Sequence, residues 1–140
     1  MKKVLISGSA GLIGSHLTDK MLSEGYHVTG VDNMSAGKPA NLRQALKNRN
    51  FVFKRLDIAD AKNTARAFKG SKFDIVVHLA ASKKIGEEGS SLKVLNNNLN
   101  STISMLEIAR RSGAKFIFAS TSDVYGLSDD LPFREDGNVV

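Results

Sequence analysis

Short apolar runs alternate with stretches of helical periodicity along most of the chain. The runs are continuously apolar instead of alternating with polar positions, which is typical of parallel strands covered on both faces. Five such strands are predicted, at residues 3–7, 27–31, 51–56, 73–79 and 115–119. Helices are predicted between them, at about residues 12–24, 40–47, 61–69 and 92–112.

Turn residues and polar loops support these boundaries. Gly25 and Gly70 follow the first and third helices as C-terminal stop signals, and Asp60 can cap the third. Polar stretches at residues 32–39, 82–91 and 120–140 are predicted to be irregular. The longest helix has an apolar stripe at helical spacing, formed by Leu95, Leu99, Ile103 and Leu106.

This alternation predicts an α/β fold, a doubly wound parallel sheet. Right-handed crossovers give the strand order 3-2-1-4-5. Ligands of such sheets bind beyond the carboxyl ends of the strands, at the switch point between strands one and four. The segments that follow those ends are 8–14, 32–35, 57–58, 80–84 and 120–125, and we expect the binding site where they meet.

A glycine-rich turn links the first strand to the first helix. Gly8, Gly11 and Gly14 recur at every third position in GSAGLIG. Such a turn aims backbone N–H groups and the positive end of the helix dipole at a pyrophosphate. Asp32 follows at about the 20-residue spacing at which a carboxylate meets a ribose 2′-hydroxyl. A dinucleotide site is therefore predicted over an ordinary turn with a solvated carboxylate. NAD is favoured over NADP, because Asp32 would repel a 2′-phosphate.

Composition narrows the remaining possibilities. The 140 residues are 41% hydrophobic and 24% charged, as is ordinary for one globular domain. The absence of cysteine excludes disulfides and thiolate metal sites and fits a reducing cytoplasm. No membrane span, signal peptide or metal site is expected. The net charge of +6 comes from scattered basic residues, which indicates a basic surface and no nucleic-acid partner.

Taken together, these segments resemble the extended short-chain dehydrogenase/reductase family, whose cofactor domain is a Rossmann fold. The likeness is to its nucleotide-sugar epimerases and dehydratases. It covers essentially the whole chain through GSAGLIGSHL, VDNMSAGKPANL, VVHLAA, NLNST and FIFASTSDVYG. The resemblance implies that NAD is bound by Gly8, Gly11, Leu12, Ile13, Gly14, Asp32, Asn33, Ser35, Asp57, Ile58, Leu79, Ala80, Ala81 and Asn98.

The same resemblance implies roles around the substrate. Thr121 stands at the position of the family's catalytic Ser/Thr, and Asn98 would brace the sheet behind the active site. Ser82, Ser122 and Asp123 are predicted to contact the nucleotide sugar. Simpler interpretations stay open: Asp57 as a turn cap, Thr121 as a strand-end hydroxyl and Ser82 as part of a solvated loop. His78, on an apolar strand, is interpreted as a core histidine with satisfied hydrogen bonds.

The family's catalytic base is a Tyr in a Tyr-x-x-x-Lys motif, and this sequence lacks that motif. Neither Tyr26 nor Tyr125 has a lysine four residues later. We therefore expect residues 1–140 to be the NAD-binding part of a longer enzyme, without its later strands and substrate domain, and inactive alone. The longer protein would be a homodimeric epimerase of UDP- or dTDP-sugars.

Other functions within and outside this family stay open. Asp123 fits the decarboxylases, whose motif reads Ser-Thr-Ser-Glu-Val-Tyr-Gly. A dehydratase is less well matched, because Ser122 replaces the first carboxylate of its Thr-Asp-Glu motif. In the epimerase, NAD would take a hydride from a sugar carbon and return it to the other face of the sugar. A Rossmann module that binds NAD without catalysis is the remaining alternative.

Overall fold

Five parallel strands form the sheet at the centre of the protein. The computed structural model describes residues 1–83, 91–126 and 132–137. Its strands are β1 (Lys3–Ser7), β2 (His27–Asp32), β3 (Phe51–Arg55), β4 (Ile75–His78) and β5 (Lys115–Phe118). They lie in the order β3-β2-β1-β4-β5, with β1 in the middle. The predicted doubly wound sheet and its strand order are confirmed.

In the described residues three α-helices connect the strands: α1 (Leu12–Ser23), α2 (Ala61–Ala67) and α3 (Ser91–Ser112). Each lies close to its predicted position. Of the helices described, none is both long enough and apolar enough to cross a bilayer. The predicted loop before α3 and the tail fall partly outside the described residues, at 84–90, 127–131 and 138–140. The described part of the tail is less irregular than predicted, because Ser122–Tyr125 forms a 3₁₀ turn.

The predicted helix at residues 40–47 is wrong. The chain forms two short 3₁₀ turns there, Pro39–Leu42 and Ala45–Lys47. The segment is anchored from outside: the Lys38 backbone N–H and the Asn41 side-chain amide both donate to the Ala10 carbonyl, at 3.1 and 2.8 Å. This attachment to the glycine turn holds the first 3₁₀ turn, and no continuous α-helix follows it.

The two faces of the sheet carry separate apolar clusters. Leu5, Val76 and Met105 belong to the cluster under α2 and α3. Val4 and Val77 belong to the opposite cluster, which α1 covers through Leu22. Neighbouring strand residues thus point to opposite faces, as pleating requires. The middle of the sheet is covered on both sides as predicted, whereas Val52 on edge strand β3 and Phe118 on edge strand β5 are exposed.

Helix α3 does not bury its predicted apolar stripe. Leu95 is 60% exposed and Leu106 is 44% exposed, with Leu99 and Ile103 between these values. The buried face of α3 is instead formed by Ser101, Ser104, Met105, Ile108 and Ala109. Met105, Ile108 and Ala109 of this face belong to the apolar cluster on that side of the sheet. The helix was therefore predicted correctly, but the four apolar side chains of its predicted stripe point to solvent.

The N-terminus of α2 offers a test of local stability. Asp60 accepts hydrogen bonds from the Asn63 backbone N–H at 3.0 Å and from its side-chain amide at 2.6 Å. We expect Asp60→Ala to lower the free energy of unfolding by about 1 kcal/mol. Asp60→Ser, which keeps an acceptor, should lose less. Urea unfolding measures both, and equal stability of Asp60→Ala and the unmodified chain would contradict the expectation.

Candidate functional site

A cleft of about 290 Å³ opens at the carboxyl ends of β1, β2 and β4. Five-stranded sheets of this order place their ligand there, at the switch point between β1 and β4. Four of the five segments predicted from the sequence contribute to the cleft. The predicted residues that line it are Gly8, Gly11, Leu12, Asp32, Asn33, Ser35, Asp57, Ile58, Leu79, Ala80, Ala81, Ser82 and Asn98.

The glycines of the turn have different physical roles. Gly8 has a φ of +71°, and a Cβ atom there would lie 2.9 Å from the Ala80 backbone nitrogen. A Cβ atom on Gly14 would lie 2.0 Å from the Gly8 carbonyl oxygen. These two positions allow α1 and the segment after β4 to pack against the turn. A Cβ atom on Gly11 would meet only the Gly8 carbonyl oxygen, at 3.2 Å, so Gly11 leaves space in the cleft.

Helix α1 begins at the cleft without a side-chain cap. Its N-cap residue is Gly11, which has no side chain to accept from the first N–H groups, and its first turn contains no acidic residue. The first N–H groups of a helix have no intrahelical acceptor. Together with the helix dipole they attract an anion. The start of α1 at Leu12 is therefore suited to a phosphate group.

Asp32 links the end of β2 to the glycine turn. Its carboxylate accepts a hydrogen bond from the Ala10 N–H at 3.0 Å and another from the Met34 N–H at 2.8 Å. Met34 has a φ of 66°, so this tight turn brings the backbone back to the carboxylate. A carboxylate has about four acceptor positions. Asp32 therefore keeps acceptor capacity at the cleft while it holds the turn.

Asp57 and Ile58 form the part of the cleft beyond β3. The Asp57 carboxylate accepts from the Ala59 N–H at 3.0 Å, which is the turn-capping role left open from the sequence. The same residue lines the cleft, and the capping bond uses one of its acceptor positions. The buried Ile58 contributes an apolar surface beside it. Contact with adenine stays a prediction for both residues.

Asn98 of α3 holds the segment that follows β4. Its side-chain oxygen accepts from the Ser82 N–H at 2.6 Å, and its side-chain nitrogen donates to the Ser82 carbonyl at 3.1 Å. Asn97 donates a longer bond of 3.4 Å to the Ser82 hydroxyl. The wall formed by residues 79–82 is thereby fixed to α3.

Five predicted site residues lie elsewhere. Ile13 is exposed on α1, and Gly14 packs beneath the turn. Thr121 and its neighbours follow β5, outside the set of residues that line the cleft. The Thr121 hydroxyl accepts from the Asp123 N–H at 3.2 Å and so caps the 3₁₀ turn Ser122–Tyr125. The roles of Thr121, Ser122 and Asp123 stay predictions.

Sequence reasoning missed several cleft residues. Gly37 lies against Asp32, and a Cβ atom there would be 2.9 Å from the Asp32 carboxylate oxygen. Gly37 belongs to the same Ser-x-Gly-Lys segment as Ser35, so the motif that predicted Ser35 could also have predicted Gly37 as a cleft residue. Asn97 and Ser101 are one helical turn apart on α3 and so lie on the same face of the helix, a spacing that could have indicated that both line the cleft. The other missed residues are Val31, Ala36, Leu56 and Ala59.

Comparison with protein families identifies the chain. A family model described as GDP-mannose 4,6 dehydratase matches residues 5–139. The chain belongs to the GDP-mannose 4,6 dehydratase family. The resemblance to nucleotide-sugar epimerases and dehydratases is thereby confirmed. Within the described parts of this family member, no three His, Asp or Glu side chains come together as a metal site would require.

Two relatives and one solved structure are similar to almost the whole of this chain. UDP-glucose 4-epimerase 2 of Arabidopsis thaliana is 33% identical, over 99% of this chain and 41% of that protein. UDP-glucuronic acid decarboxylase 1 of Danio rerio is 35% identical, over 96% of this chain and 31% of that protein. The structure of UDP-glucose 4-epimerase from Bifidobacterium longum, in complex with NAD⁺ and UDP, is 30% identical with a TM-score of 0.83. It is matched over 99% of this chain and 42% of that chain.

This member of the family therefore spans about two fifths or less of the proteins to which it is similar. Epimerases and a decarboxylase both appear among them. The matched region of this chain, residues 5–139, contains the glycine turn and all residues that line the cleft.

The different surroundings of Gly14 and Gly11 predict a contrast in stability between substitutions at the two positions. Gly14→Ala should lower the free energy of unfolding by about 1–3 kcal/mol or more, because its Cβ atom would collide with the Gly8 carbonyl. Gly11→Ala should lower it less, by about 0.5 kcal/mol, because Gly11 has an ordinary extended backbone and its Cβ atom would have one close neighbour, the Gly8 carbonyl oxygen at 3.2 Å. Urea unfolding followed by circular dichroism measures both variants. Equal losses would contradict the assigned packing.

Proposed function

We propose that this chain is the NAD-binding part of an NAD-dependent nucleotide-sugar epimerase that acts on a UDP- or dTDP-sugar. One observation carries the proposal: Asp32, predicted to bind ribose, is hydrogen-bonded directly to the glycine turn beside the uncapped start of α1. A carboxylate for the ribose and a phosphate-binding helix start are thus parts of one cleft. The epimerase and decarboxylase relatives support the substrate class.

The residues of the cleft fit NAD. The space left by Gly11 and the free N–H groups of α1 suit the pyrophosphate, and Asp32 and Asn33 suit the adenosine ribose. Asp57 and Ile58 would flank the adenine, and residues 79–82 would line the nicotinamide half. NAD, when bound, supplies a reversible acceptor for a hydride from a sugar carbon.

We assign Thr121 a role at the reacting sugar oxygen. Its hydroxyl follows the carboxyl end of β5, on the same edge of the sheet as the cleft, and it is exposed. It would donate a hydrogen bond to that oxygen, and a tyrosine elsewhere in the longer protein would remove the proton. Tyr125 is a poor candidate for this base, because its ring stacks on Phe133 with 5.0 Å between ring centroids.

A decarboxylase of the same family is the second candidate. It is supported by the relative from Danio rerio and by Asp123 in the segment after Thr121. A dehydratase has weaker support, because Ser122 stands where a carboxylate would be expected. A module that binds NAD without catalysis is the alternative from another class. A reading frame that continues past residue 140 into Tyr-x-x-x-Lys would favour an enzyme over such a module.

We also propose that the longer protein is a homodimer. The support is the exposed apolar stripe of α3, formed by Leu95, Leu99, Ile103 and Leu106. Large apolar side chains aligned on one helix face are typical of a surface that packs against another helix. Sedimentation of the longer protein with Leu99→Lys, compared with the exposed charge change Lys93→Glu, tests this proposal.

The Asp32 carboxylate makes the choice of cofactor testable. We expect the chain to bind NAD more tightly than NADP, and Asp32→Ala to raise the Kd for NAD at least about tenfold. The reason is that a hydrogen bond to a charged group contributes about 1.5–3 kcal/mol. NADP binding should change less, so the gap between the cofactors narrows. Calorimetric titration with both cofactors measures this.

Two variants serve as controls for that titration. Asp60→Ala removes a capping carboxylate outside the cleft and should leave both Kd values unchanged. Gly11→Val places a side chain in the pyrophosphate space and should abolish binding of both cofactors. Equal affinity of the unmodified chain for NAD and NADP would overturn the assignment of Asp32 to the ribose.

Catalysis by the isolated chain is expected to be absent. Positioned acid–base catalysis contributes about 10² to 10⁴-fold, and the Tyr-x-x-x-Lys base is not in this sequence. Incubation of the 140-residue chain with NAD and a panel of UDP- and dTDP-sugars should give no turnover above background. In the longer protein, Thr121→Ala should lose most turnover and keep its NAD affinity. Turnover by the isolated chain that disappears in Tyr125→Phe would show that the base is misassigned.

A further inference from the structure

A buried hydrogen-bond network lies directly behind the cleft wall formed by residues 79–82. His78, at the end of β4, is only 2% exposed. Its Nδ1 lies 2.6 Å from the Ser7 hydroxyl at the end of β1, and its Nε2 lies 3.1 Å from the Thr102 hydroxyl on α3. One side chain therefore connects three elements, namely both central strands of the switch point and the helix that carries Asn98.

The partners of the network determine which ring nitrogen carries the proton. The Thr102 hydroxyl donates its one hydrogen to the Asn98 carbonyl at 2.8 Å, so it must accept from His78 Nε2–H. The Ser7 hydroxyl accepts from the N–H groups of Leu79 at 3.2 Å and Ala80 at 3.3 Å. Its own hydrogen is thus left for His78 Nδ1. With neutral His78 protonated at Nε2, each hydroxyl of the network donates one hydrogen bond, and both ring nitrogens of His78 are paired.

The surroundings of the ring favour this neutral form. The aromatic rings of Phe116 and Phe118 lie 6.4 and 5.8 Å from the imidazole, between ring centroids. Burial among such groups disfavours the imidazolium and lowers the pKa of His78 to about 4. The ring is therefore a fixed, uncharged link near neutral pH.

The network reaches both ends of the cleft wall. At one end Ser7 holds the N–H groups of Leu79 and Ala80. At the other end Asn98, whose carbonyl accepts from Thr102, holds both backbone groups of Ser82. His78 is the group that joins the two ends.

We propose that His78 is a positioning residue: as the Nε2-protonated link between Ser7 and Thr102, it fixes the wall of residues 79–82 against α3 and so sets the shape of the cleft. It touches no ligand itself, because its side chain points away from the cleft into the layer between sheet and helix. The role goes beyond that of a core histidine, since one of its hydrogen bonds ends on Ser7, which holds Leu79 and Ala80, and the other ends on Thr102, which is bonded to Asn98.

Nitrogen NMR of the imidazole tests the assignment without any cofactor. In the unmodified 140-residue chain near pH 7, the spectrum should have the signature of the Nε2–H tautomer. Thr102→Val removes the acceptor of that proton at nearly constant volume, and we expect the tautomer signature to shift and the Leu79 and Ala80 amides to exchange faster. Ser104→Ala is the matched control. It removes another buried hydroxyl of α3, one with no hydrogen-bond partner among the described residues, and should change neither readout.

Cofactor affinity provides a second readout, and this part rests on the proposed function. His78→Phe keeps the bulk of the ring without its nitrogens and should raise the Kd for NAD about tenfold, as expected when two buried hydrogen bonds are lost. His78→Asn, which retains an acceptor near the position of Nδ1, should recover part of the affinity. Ile108→Val weakens the same helix–sheet packing outside the network and should keep the unmodified Kd.

The outcomes separate the two proposals. If the unmodified chain does not bind NAD, the proposed function fails, whereas the NMR experiment still tests the role of His78. An Nδ1–H tautomer in the unmodified chain would overturn the positioning role. So would an unchanged tautomer and unchanged amide exchange in Thr102→Val. If His78→Phe does not fold, Thr102→Val provides the Kd comparison, with a smaller expected increase of about threefold.

Discussion

The close approach of backbone segments at Gly8 is the constraint on which the rest of this structure depends. The Gly8 N–H donates to the Val31 carbonyl at the end of β2, at 2.9 Å. Gly14, at the start of α1, packs on the Gly8 carbonyl. Ala80, in the segment after β4, packs against the Gly8 Cα. Three elements can meet at one residue only because that residue and Gly14 have no side chains. The cleft is the space that this meeting leaves open.

Polar contacts then fix the two sides of the cleft independently. On one side the Asp32 carboxylate accepts from the Ala10 N–H. The Lys38 backbone N–H and the Asn41 side-chain amide donate to the Ala10 carbonyl. On the other side Asn98 holds Ser82, with the buried His78 behind it. Buried polar groups are costly when unpaired and specify one geometry when fully paired. The arrangement therefore fixes both sides of the cleft and leaves the first N–H groups of α1 beside it without a side-chain cap.

Helix α3 connects this site to the outer surface of the protein. Its buried face combines Ser101 and Ser104 with Met105, and its Asn98 lines the cleft. Its opposite face carries Leu95, Leu99 and Leu106 in solvent. The same helix thus positions cleft residues and carries a row of large apolar side chains on the outer surface.

The sequence by itself determined the α/β class, the strand order and the position of the cleft. Each follows from local patterns, namely continuous apolar runs, the spacing of Gly8 to Gly14 and a carboxylate at the end of β2, and from the handedness of crossovers. The motifs also determined the family. These features need no knowledge of which distant side chains touch.

Only the tertiary structure decided which helix face is buried and which groups pair across elements. Periodicity located an apolar stripe on α3 but could not tell that the face with Ser101, Ser104 and Met105 is buried while Leu99 is exposed. It predicted a helix at residues 40–47, where bonds to Ala10 hold two 3₁₀ turns instead. The links from Ser7 to His78 and from Asp32 to Ala10 join residues far apart in the chain. Such contacts depend on the packing of whole elements, which a local pattern does not contain.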